Sequence, residues 1–532
     1  MNNFIHKMRQ PIILLFFIIL ATTKIFASTA AEYTGINEEK SHHVKHISVR
    51  TFEKNIDKIY KELNQKKFFN SKNCDAYITQ ITEFLLFKGG KAYLPFNKND
   101  FNILQRRSYI IVNKLFYLRL LLRKKLKEFH HHGNLSQTCV NKIRKAFRYT
   151  RFLEEFITEI GVNMQTHPPV ADPQDFSQQK YQFYLNPKLK NFNFKSGDIL
   201  LVRTSSFVSA IIARIGDEDG QFSHAAMVYV DESGEIKVME SLIEAGTIIT
   251  PYEKWRKINN HSRALLFRHD DEALAKKAAL KLYNIIQKRQ ASKDFIPYDF
   301  TMNDSDNNQI FCAEMVQYAF KLAGDNRLPT FRTGFKTFGN HTFLNELTVS
   351  VEDTFTPGDL EVEPSINLVA EWRNYEATRL SRLQDVIQTK ILYWMSEKHY
   401  YLKRTFRSFI GTTVGLAGRT LFGLNSDKIP ANMPFGFMEN IIKLNDLSNI
   451  LEKYLSDLET EYFKRYGHSM GYFRMMKEME ALRIEDCQSY INRSKEMIQK
   501  LHDIDTLSEP YESPKPIFHN LFNTENGLNC KL

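Results

Sequence analysis

Apolar side chains recur every three or four positions between about residues 48 and 161, which is the spacing that lines one side of an α-helix. Four segments carry this pattern: FEKNIDKIYKELNQ, CDAYITQITEFLLF, RRSYIIVNKLFYLRLLLRKKLKEF and CVNKIRKAFRYTRFLEEFITEI. They predict a helical bundle over residues 45–165. The stretch THPPVADPQDFSQQ then places three prolines among polar residues, and it predicts a linker over residues 166–189.

The pattern changes from Phe194 onward to short β-branched and aliphatic runs separated by turn residues. These runs are GDILLVR, HAAMVYV, EIKVME, GTIITPY and RALLFRH, and the turn from Asp231 to Gly234 joins the second and third as a hairpin. Two helical segments follow, DDEALAKKAALKLYNIIQKRQ and one that opens at Cys312. We therefore predict an α+β domain with a small antiparallel sheet over residues 190–345.

Helical periodicity returns after about Asn367, in AEWRNYEATRLSRLQDVIQTKILYWMSEKHYYLKRTF and in the long segment that starts at Asn445. It predicts a C-terminal helical region over residues 366–510. Between these segments, FRSFIGTTVGLAGRTLFGLN is rich in glycine and aromatic residues and poor in charge. Its glycines weaken a helix, which favours a buried connecting segment. Contact with a membrane or a hydrophobic substrate is the alternative interpretation.

The first thirty residues have the layout of a secretory signal peptide, with Lys7 and Arg9 ahead of a short apolar stretch and small residues around Ala27. The apolar stretch is much shorter than the roughly 20 residues that cross a bilayer, so cleavage is favoured over an anchor. No later run is long and apolar enough to span a membrane. We therefore predict a signal peptide over residues 1–30 and a periplasmic or secreted mature protein.

The five cysteines become informative in an oxidising compartment, where exposed thiols pair. The economical arrangement joins Cys74 to Cys139 and Cys487 to Cys530, and it leaves Cys312 as the free thiol. Sequence alone does not fix connectivity, so this pairing is a hypothesis.

The formal net charge of +11 would suit an anionic partner such as a phospholipid surface. Lysine and arginine are spread along the chain and acidic residues interrupt nearly every basic run, which favours generic composition over a basic face. The histidine clusters at 42–46 and 130–132 lack companion cysteines or carboxylates, so we expect no metal site. Phosphate-binding glycine loops and nucleic-acid-binding modules are absent from the sequence, so we expect no cofactor and no nucleic-acid partner.

Cys312 is placed at the first turn of a predicted helix, after the turn and cap residues Asp306 and Asn308. Unpaired backbone N–H groups there favour the thiolate, which attacks carbonyls. His224 opens a predicted strand, from which an imidazole can reach a neighbouring helix terminus and transfer the thiol proton. The alternatives are a buried core cysteine and a structural histidine.

A third group is needed to fix the tautomer of the imidazole. Glu240 lies on the strand that the hairpin returns beside His224, and it faces the imidazole if the loop has the right parity. A slip of one residue would turn Glu240 away. Glu244 or a main-chain carbonyl therefore remains an alternative third group.

The ordered segments FKSGDILLVR, FSHAAMVYV, VMES, AGTIITPYEKW and IPYDF…IFCAEMVQYAF resemble the circularly permuted branch of the NlpC-type papain-like cysteine hydrolases, the YiiX/YebB-like group. In that branch the histidine precedes the cysteine. The resemblance covers about Phe194 to Ala323. It implies a permuted papain-like core, a Cys312–His224 pair and Glu240 as the third catalytic residue, whereas the helical regions that flank this core lie outside the resemblance. It also places Tyr298 and Asp299 on the approach to Cys312, and we take them with Ser223 as candidate substrate-binding residues.

The resemblance implies a thiol hydrolase that cleaves an amide or ester bond through an acyl-enzyme. Relatives in the wider superfamily act on peptidoglycan stem peptides or on lipid-linked amides and esters. The predicted partners are therefore an acylated lipid or peptidoglycan substrate, with contact to a membrane surface as a further prediction. The alternative function is a secreted helical interaction protein whose papain-like core is a degenerate binding platform.

Overall fold

A computed structural model describes residues 48–65, 71–85, 98–133, 135–162, 181–258, 261–335, 341–422, 429–502 and 510–523. The chain from His46 onward forms one compact unit. The signal peptide predicted for residues 1–30 lies outside the described residues, and so does Cys530.

Four helices make up the N-terminal region, and their bounds are α1 (Val49–Gln65), α2 (Ser71–Leu85), α3 (Lys98–His131) and α4 (Gln137–Val162). Each helix buries the apolar positions that recur at helical spacing, as α1 does with Phe52 and Ile56. A disulfide joins Cys74 of α2 to Cys139 of α4, which confirms that predicted pair. Cys312 is free, as predicted, and Cys487 is disulfide-bonded.

Seven antiparallel strands form the central sheet, in the order β1-β9-β6-β2-β3-β4-β5. Their bounds are β1 (Tyr181–Leu185), β2 (Ile199–Thr204), β3 (His224–Val230), β4 (Ile236–Leu242), β5 (Gly246–Pro251), β6 (His261–His269) and β9 (Ile366–Asn374). The turn after Asp231 closes the β3–β4 hairpin as predicted: the Asp231 carboxylate accepts the backbone N–H of Ser233, and Gly234 takes a φ of 86°.

Short helices and strands fill the loops of the α+β region. They are α5 (Phe207–Ile212), α6 (Tyr252–Ile258), α7 (Glu272–Ala291), α8 (Cys312–Ala323), β7 (Thr333–Gly334), α9 (His341–Glu346), β8 (Asp353–Thr354) and α10 (Pro357–Leu360). Helix α8 packs on one face of β3 and β4, in the larger apolar core. Helix α6 covers the opposite face with Tyr252 and Trp255, in a smaller apolar cluster.

The edges of the predicted α+β domain differ from the observed structure. Strand β1 lies inside the predicted linker of residues 166–189, and β9 occupies the start of the predicted helical region at residue 366. Ala370 and Trp372 face the smaller apolar cluster, whereas Glu371 and Arg373 are buried on the other face in ion pairs. In the sequence, charged residues at these positions resemble the polar side of an exposed helix, which explains why a helix was predicted there.

The C-terminal region contains α11 (Tyr375–Glu397), β10 (Tyr401–Leu402), α12 (Phe406–Phe422), α13 (Phe435–Tyr466), α14 (Tyr472–His502), a 3₁₀ turn (His519–Leu521) and β11 (Phe522–Asn523). Helix α11 packs between the sheet and the pair α13 and α14. Its buried side chains join the same apolar core as the N-terminal helices. Within the described residues, no helix has the length and apolar character needed to cross a membrane.

Candidate active site

Cys312 is the first residue of α8 and is only 4% exposed. The first-turn N–H groups of an α-helix have no intrahelical acceptor, and they favour negative charge at this position. The Cys312 Sγ lies 3.9 Å from the backbone oxygen of Ser223, the residue that precedes β3. The start of this helix is therefore held against the start of the strand that carries His224.

The predicted cap of α8 is wrong in its detail. The Asp306 carboxylate accepts the backbone N–H of Asn308 and forms a turn, but the residue before the helix is Phe311, which has no side-chain cap. The carboxyl of Glu314 accepts the Phe311 N–H instead, at 3.2 Å. Burial raises the pKa of Glu314 to about 9, so this carboxyl is protonated at neutral pH.

His224 begins β3, and the Cys312 side chain lies close enough to its imidazole to raise the imidazole pKa. The positions that alternate with it, Ala226 and Val228, face the smaller apolar cluster, whereas α8 packs on the other face. Because His224 stands at the end of the strand, its ring can meet the thiol beyond the sheet edge. The segments that carry His224 and Cys312, about ninety residues apart in sequence, thus lie beside each other.

Glu240 faces His224 across the β3–β4 hairpin. The predicted parity holds, but Glu240 pairs directly with Ala226, two residues along from His224. The diagonal is short enough for a hydrogen bond of 2.9 Å between His224 Nε2 and Glu240 Oε2. With Nε2 committed to the carboxylate, Nδ1 is the ring nitrogen left for Cys312.

Trp255 is a member of this site that the sequence did not single out. Its indole N–H donates to the same Glu240 oxygen at 3.0 Å, so two donors fix the carboxylate. The ring of His261 lies 4.2 Å from the Trp255 ring. Burial, aided by the charge of nearby His224, lowers the pKa of His261 to about 3 and keeps it neutral. The quoted segment AGTIITPYEKW contained Trp255, but nothing in its spacing predicted a contact with Glu240.

The charge of His224 follows from two opposing effects. Burial alone lowers the pKa of this imidazole, but its hydrogen bonds to Cys312 and Glu240 outweigh burial and raise the pKa to about 10. The histidine is therefore protonated through the neutral range. A protonated ring donates from both nitrogens, which suits an ion pair with a thiolate on one side and a carboxylate on the other.

The three candidate substrate-binding residues differ in how their side chains are used. Tyr298 lies near Cys312; burial, reinforced by negative charge at Cys312, raises its pKa well above the usual value, so its hydroxyl keeps its proton. Asp299 accepts from the backbone and hydroxyl of Thr301 and from the backbone of Asn303. The Ser223 hydroxyl pairs with that of Ser209. The substrate-binding role of all three stays a prediction.

The segment that leads to Cys312 is contacted by Asn432, which precedes α13, and by Phe437 of α13. The Asn432 amide donates to the Tyr298 backbone oxygen at 2.7 Å and to the Gln309 side chain at 3.0 Å. The Phe437 ring packs on Phe300 with centroids 4.9 Å apart. Across the described part of the chain, no three His, Cys, Asp or Glu residues come together in a way that could hold a metal ion.

Comparison with known proteins agrees with this arrangement. Residues 193–369 match the family model described as "Permuted papain-like amidase enzyme, YaeF/YiiX, C92 family". This segment matches a permuted papain-like domain of the YaeF/YiiX type, and the resemblance seen in the sequence is confirmed. The match to an amidase family supports hydrolase activity.

A solved structure of the metalloprotein yiiX from Escherichia coli O157:H7 is also similar, with 16% identity, 34% of this chain and 97% of that chain covered, and a TM-score of 0.25. A TM-score that low carries no argument about this chain. A search of curated proteins found no match.

Proposed function

We propose that this protein is an extracytoplasmic thiol hydrolase that cleaves an amide or ester bond through Cys312, His224 and Glu240. The observation that carries the proposal is the chain of contacts from the thiol at the start of α8, through the imidazole of His224, to the carboxylate of Glu240. A nucleophile, a base and a group that orients the base, in contact in this order, make up the machinery of acyl transfer.

The first half of the proposed reaction forms a thioester. The Cys312 thiolate attacks the carbonyl carbon, and the Cys312 backbone N–H at the helix start stabilises the oxyanion. The Tyr298 hydroxyl, which keeps its proton, is the group we assign to bind the substrate beside Cys312. As the tetrahedral intermediate collapses, the C–N or C–O bond breaks, and the His224 imidazolium donates its proton to the leaving amine or alkoxide.

The second half of the reaction releases the acyl group. Neutral His224 takes a proton from water, the resulting hydroxide attacks the thioester, and the carbon–sulfur bond breaks to give a carboxylic acid. The Glu240 carboxylate, fixed by the Trp255 indole, favours each protonated state of His224. The thiolate–imidazolium pair is restored at the end.

An extracytoplasmic location is supported by two features. The predicted signal peptide would export the chain, and the Cys74–Cys139 disulfide suits an oxidising compartment. Both candidate substrates, a lipid-linked amide or ester and a cell-wall peptide, are found there. The apolar tract that begins at Phe406 favours the lipidic substrate.

The test incubates the purified mature protein with murein sacculi and, separately, with N-acyl and O-acyl lipids. We expect release of a free amine, alcohol or acid from one substrate and a covalent acyl adduct on Cys312 that can be trapped and mapped by mass spectrometry. Cys312→Ala serves as the control for contaminating hydrolases. If thiol-directed acyl probes left Cys312 unlabelled in the folded protein, the degenerate binding platform would replace the enzyme.

A further inference from the structure

Helix α12 buries polar side chains and exposes large apolar ones, which is the reverse of an ordinary surface helix. Its hydroxyl side chains Ser408 and Thr412 are fully buried, whereas Phe406 is 82% exposed and Phe409 is 45% exposed. Val414 is also exposed on the same side. A soluble helix normally buries its large apolar residues and exposes its polar ones. The buried connecting segment predicted for this tract is therefore wrong for these residues.

The reason for the inversion is the way α12 packs on α13. Gly411 and Gly415 face Ile442 and Met438 of α13, and a Cβ built on Gly415 would collide with Met438. The buried stripe of α12 thus consists of small residues, Ser408, Gly411, Thr412 and Gly415, which permit close approach of the two helices. Because this stripe is required for packing, the large residues of α12 point outward.

Phe435 at the start of α13 extends the exposed surface. The Arg404 guanidinium lies 5.2 Å from the Phe409 ring centroid and 5.8 Å from that of Phe435, so the three side chains are adjacent. We call Phe406, Phe409, Val414 and Phe435 the α12 face. Large exposed aromatic residues gathered on one face mark an interaction site more often than scattered ones do.

Positive charge borders the α12 face. Lys403 is exposed, Arg404 pairs with Glu439 and Arg407 pairs with Asp446. In both pairs the carboxylate is the more buried partner, so the cations reach solvent. Lys443 also contacts Glu439, and the charge of Glu346 also acts on Arg404, which sets four cations against three carboxylates in this cluster. A second copy of the chain would bring the same cations together, and this disfavours a symmetric dimer through the face.

The α12 face lies close to the segment that leads to Cys312. Phe435 follows Asn432 by three residues, a chain length that spans at most about 11 Å. Asn432 bonds the backbone oxygen of Tyr298 and the side chain of Gln309, which belong to the segment leading to Cys312. A surface that contacts Phe435 therefore also lies near the segment that leads to Cys312.

We propose that the α12 face docks on an anionic lipid surface. Exposed aromatic rings beside arginine and lysine are the composition of helices that lie in the interface of a bilayer, where rings enter the acyl boundary and cations meet lipid phosphates. Docking through this face brings the approach to Cys312 next to the lipid layer. The assignment of a lipid-linked substrate rests on the proposed function, whereas docking itself needs no catalysis.

The first experiment measures docking alone, with the Cys312→Ala protein so that no turnover occurs. Flotation with vesicles of phosphatidylcholine and phosphatidylglycerol measures binding by this protein and by a variant that also carries Phe406→Ser and Phe409→Ser. The matched control adds Leu280→Ser and Ile484→Ser, two residues on other helices that are each 42% exposed. We expect the phenylalanine pair to weaken binding by about tenfold or more, and the control to retain it.

Two further variables sharpen the docking result. Pure phosphatidylcholine vesicles or high salt should weaken binding, and Lys403→Gln should weaken it by about fivefold. Equal binding by the phenylalanine variant, or no binding to anionic vesicles, overturns the proposal. Sedimentation that shows a dimer lost in the phenylalanine variant overturns it too, because the face would then be a contact between copies. Thermal unfolding of every variant verifies that each one folds.

The second experiment tests the substrate assignment with the Cys312 protein. The rate on an N-acyl lipid in anionic vesicles is divided by the rate on a short-chain, water-soluble ester. We expect this ratio to fall about tenfold in the phenylalanine pair and to stay the same in the Leu280 and Ile484 control. Docking without lipid cleavage, but with cleavage of sacculi, would overturn the lipid substrate. No cleavage of any substrate would reject the proposed function and leave the docking result standing.

Discussion

Two buried polar clusters lie on this sheet, and they differ in the chemistry of their side chains. At the start of β3, one thiol, one imidazole and one carboxylate are in contact. Across β6 and β9, arginines form ion pairs with carboxylates from the flanking helices, as Arg373 does with Glu154 and Arg263 does with Glu155. An arginine does not lose its proton in a protein, so protons in the second cluster are fixed. In the first cluster a thiol lies beside an imidazole, and side chains of these two types can exchange a proton.

The arginine cluster also explains why the helical regions are inseparable from the sheet. Glu371 of β9 bonds Arg119 of α3, and Asp385 of α11 bonds Arg203 of β2 and Arg263 of β6. The positive charges hold the pKa of Asp385 far below its usual value, although burial opposes them. Asp385 is the carboxylate that pairs with the buried Arg203 and Arg214 in the described part of the chain, so its removal would leave both guanidinium groups without that ion pair. One cluster is therefore expected to set stability and the other to set reactivity.

The largest expected effect separates these two roles. Cys312→Ala and His224→Ala should each lower turnover by about 10³-fold or more, because the nucleophile or its proton carrier is lost. Neither change leaves an unpaired arginine, so both variants should unfold cooperatively within a few degrees of the unchanged protein. Substrate hydrolysis and thermal unfolding measure the two quantities. A variant that retained turnover would contradict the proposed mechanism.

The reciprocal change is Asp385→Asn, which removes the carboxylate shared by Arg203, Arg214 and Arg263. We expect the free energy of unfolding to fall by about 3–5 kcal/mol, because buried guanidinium groups lose their counterion. Denaturation in urea measures it. The control is Glu253→Gln, which breaks an exposed pair with Arg256 and should cost less than about 0.5 kcal/mol. Equal losses in the two variants would show that the buried cluster contributes no more to the free energy of unfolding than an exposed ion pair does.

A third change targets the proton in the candidate active site. The folded pKa of His224, about 10, exceeds its ordinary value near 6.5, so the imidazolium persists through neutral pH and is lost as pH rises through 10. Glu240→Gln removes a negative charge that favours the imidazolium. We expect the alkaline limb of kcat/KM to move down by about one pH unit or more, and kcat/KM to fall about tenfold to a hundredfold.

The matched control for Glu240→Gln is Trp255→Phe. It removes the indole N–H that holds the carboxylate but keeps the charge. The alkaline limb should then move less than in Glu240→Gln, while kcat still falls. If both variants kept the unchanged pH profile, Glu240 would not be the group that orients His224, and a main-chain carbonyl would regain its place as the alternative.

The smallest effect concerns Glu314, a carboxyl that is buried at the start of α8. Its folded pKa of about 9 lies above the ordinary value, so ionisation opposes folding and stability is lost as pH rises between about 4.5 and 9. Glu314→Gln keeps the shape without the charge. From pH 5 to pH 6.5, the variant should gain about 1–2 kcal/mol of unfolding free energy relative to the unchanged protein. Parallel pH profiles in urea denaturation would refute this account.

Much of the candidate site could be predicted because its chemistry is local. The thiol at a helix start, the histidine at a strand start and the parity of a short hairpin are all properties of neighbouring residues, and each is found in the structure. The register of Glu240 was not predictable, because one extra residue in a loop shifts every pair along the strand. Trp255 was missed because its partner, Glu240, lies on a different element.

The sequence by itself determined most of the helices, the strands from Ile199 to His269 and the residue types able to carry acyl transfer, since these follow from periodicity, turn chemistry and residue type. Only the tertiary structure decided that Glu371 and Arg373 belong to a buried strand and that Phe406 faces outward. A charge is buried when a distant segment supplies its counterion, and an aromatic ring is exposed when a neighbouring helix needs the small residues beside it. Neither cause can be read from the residue's own stretch of chain.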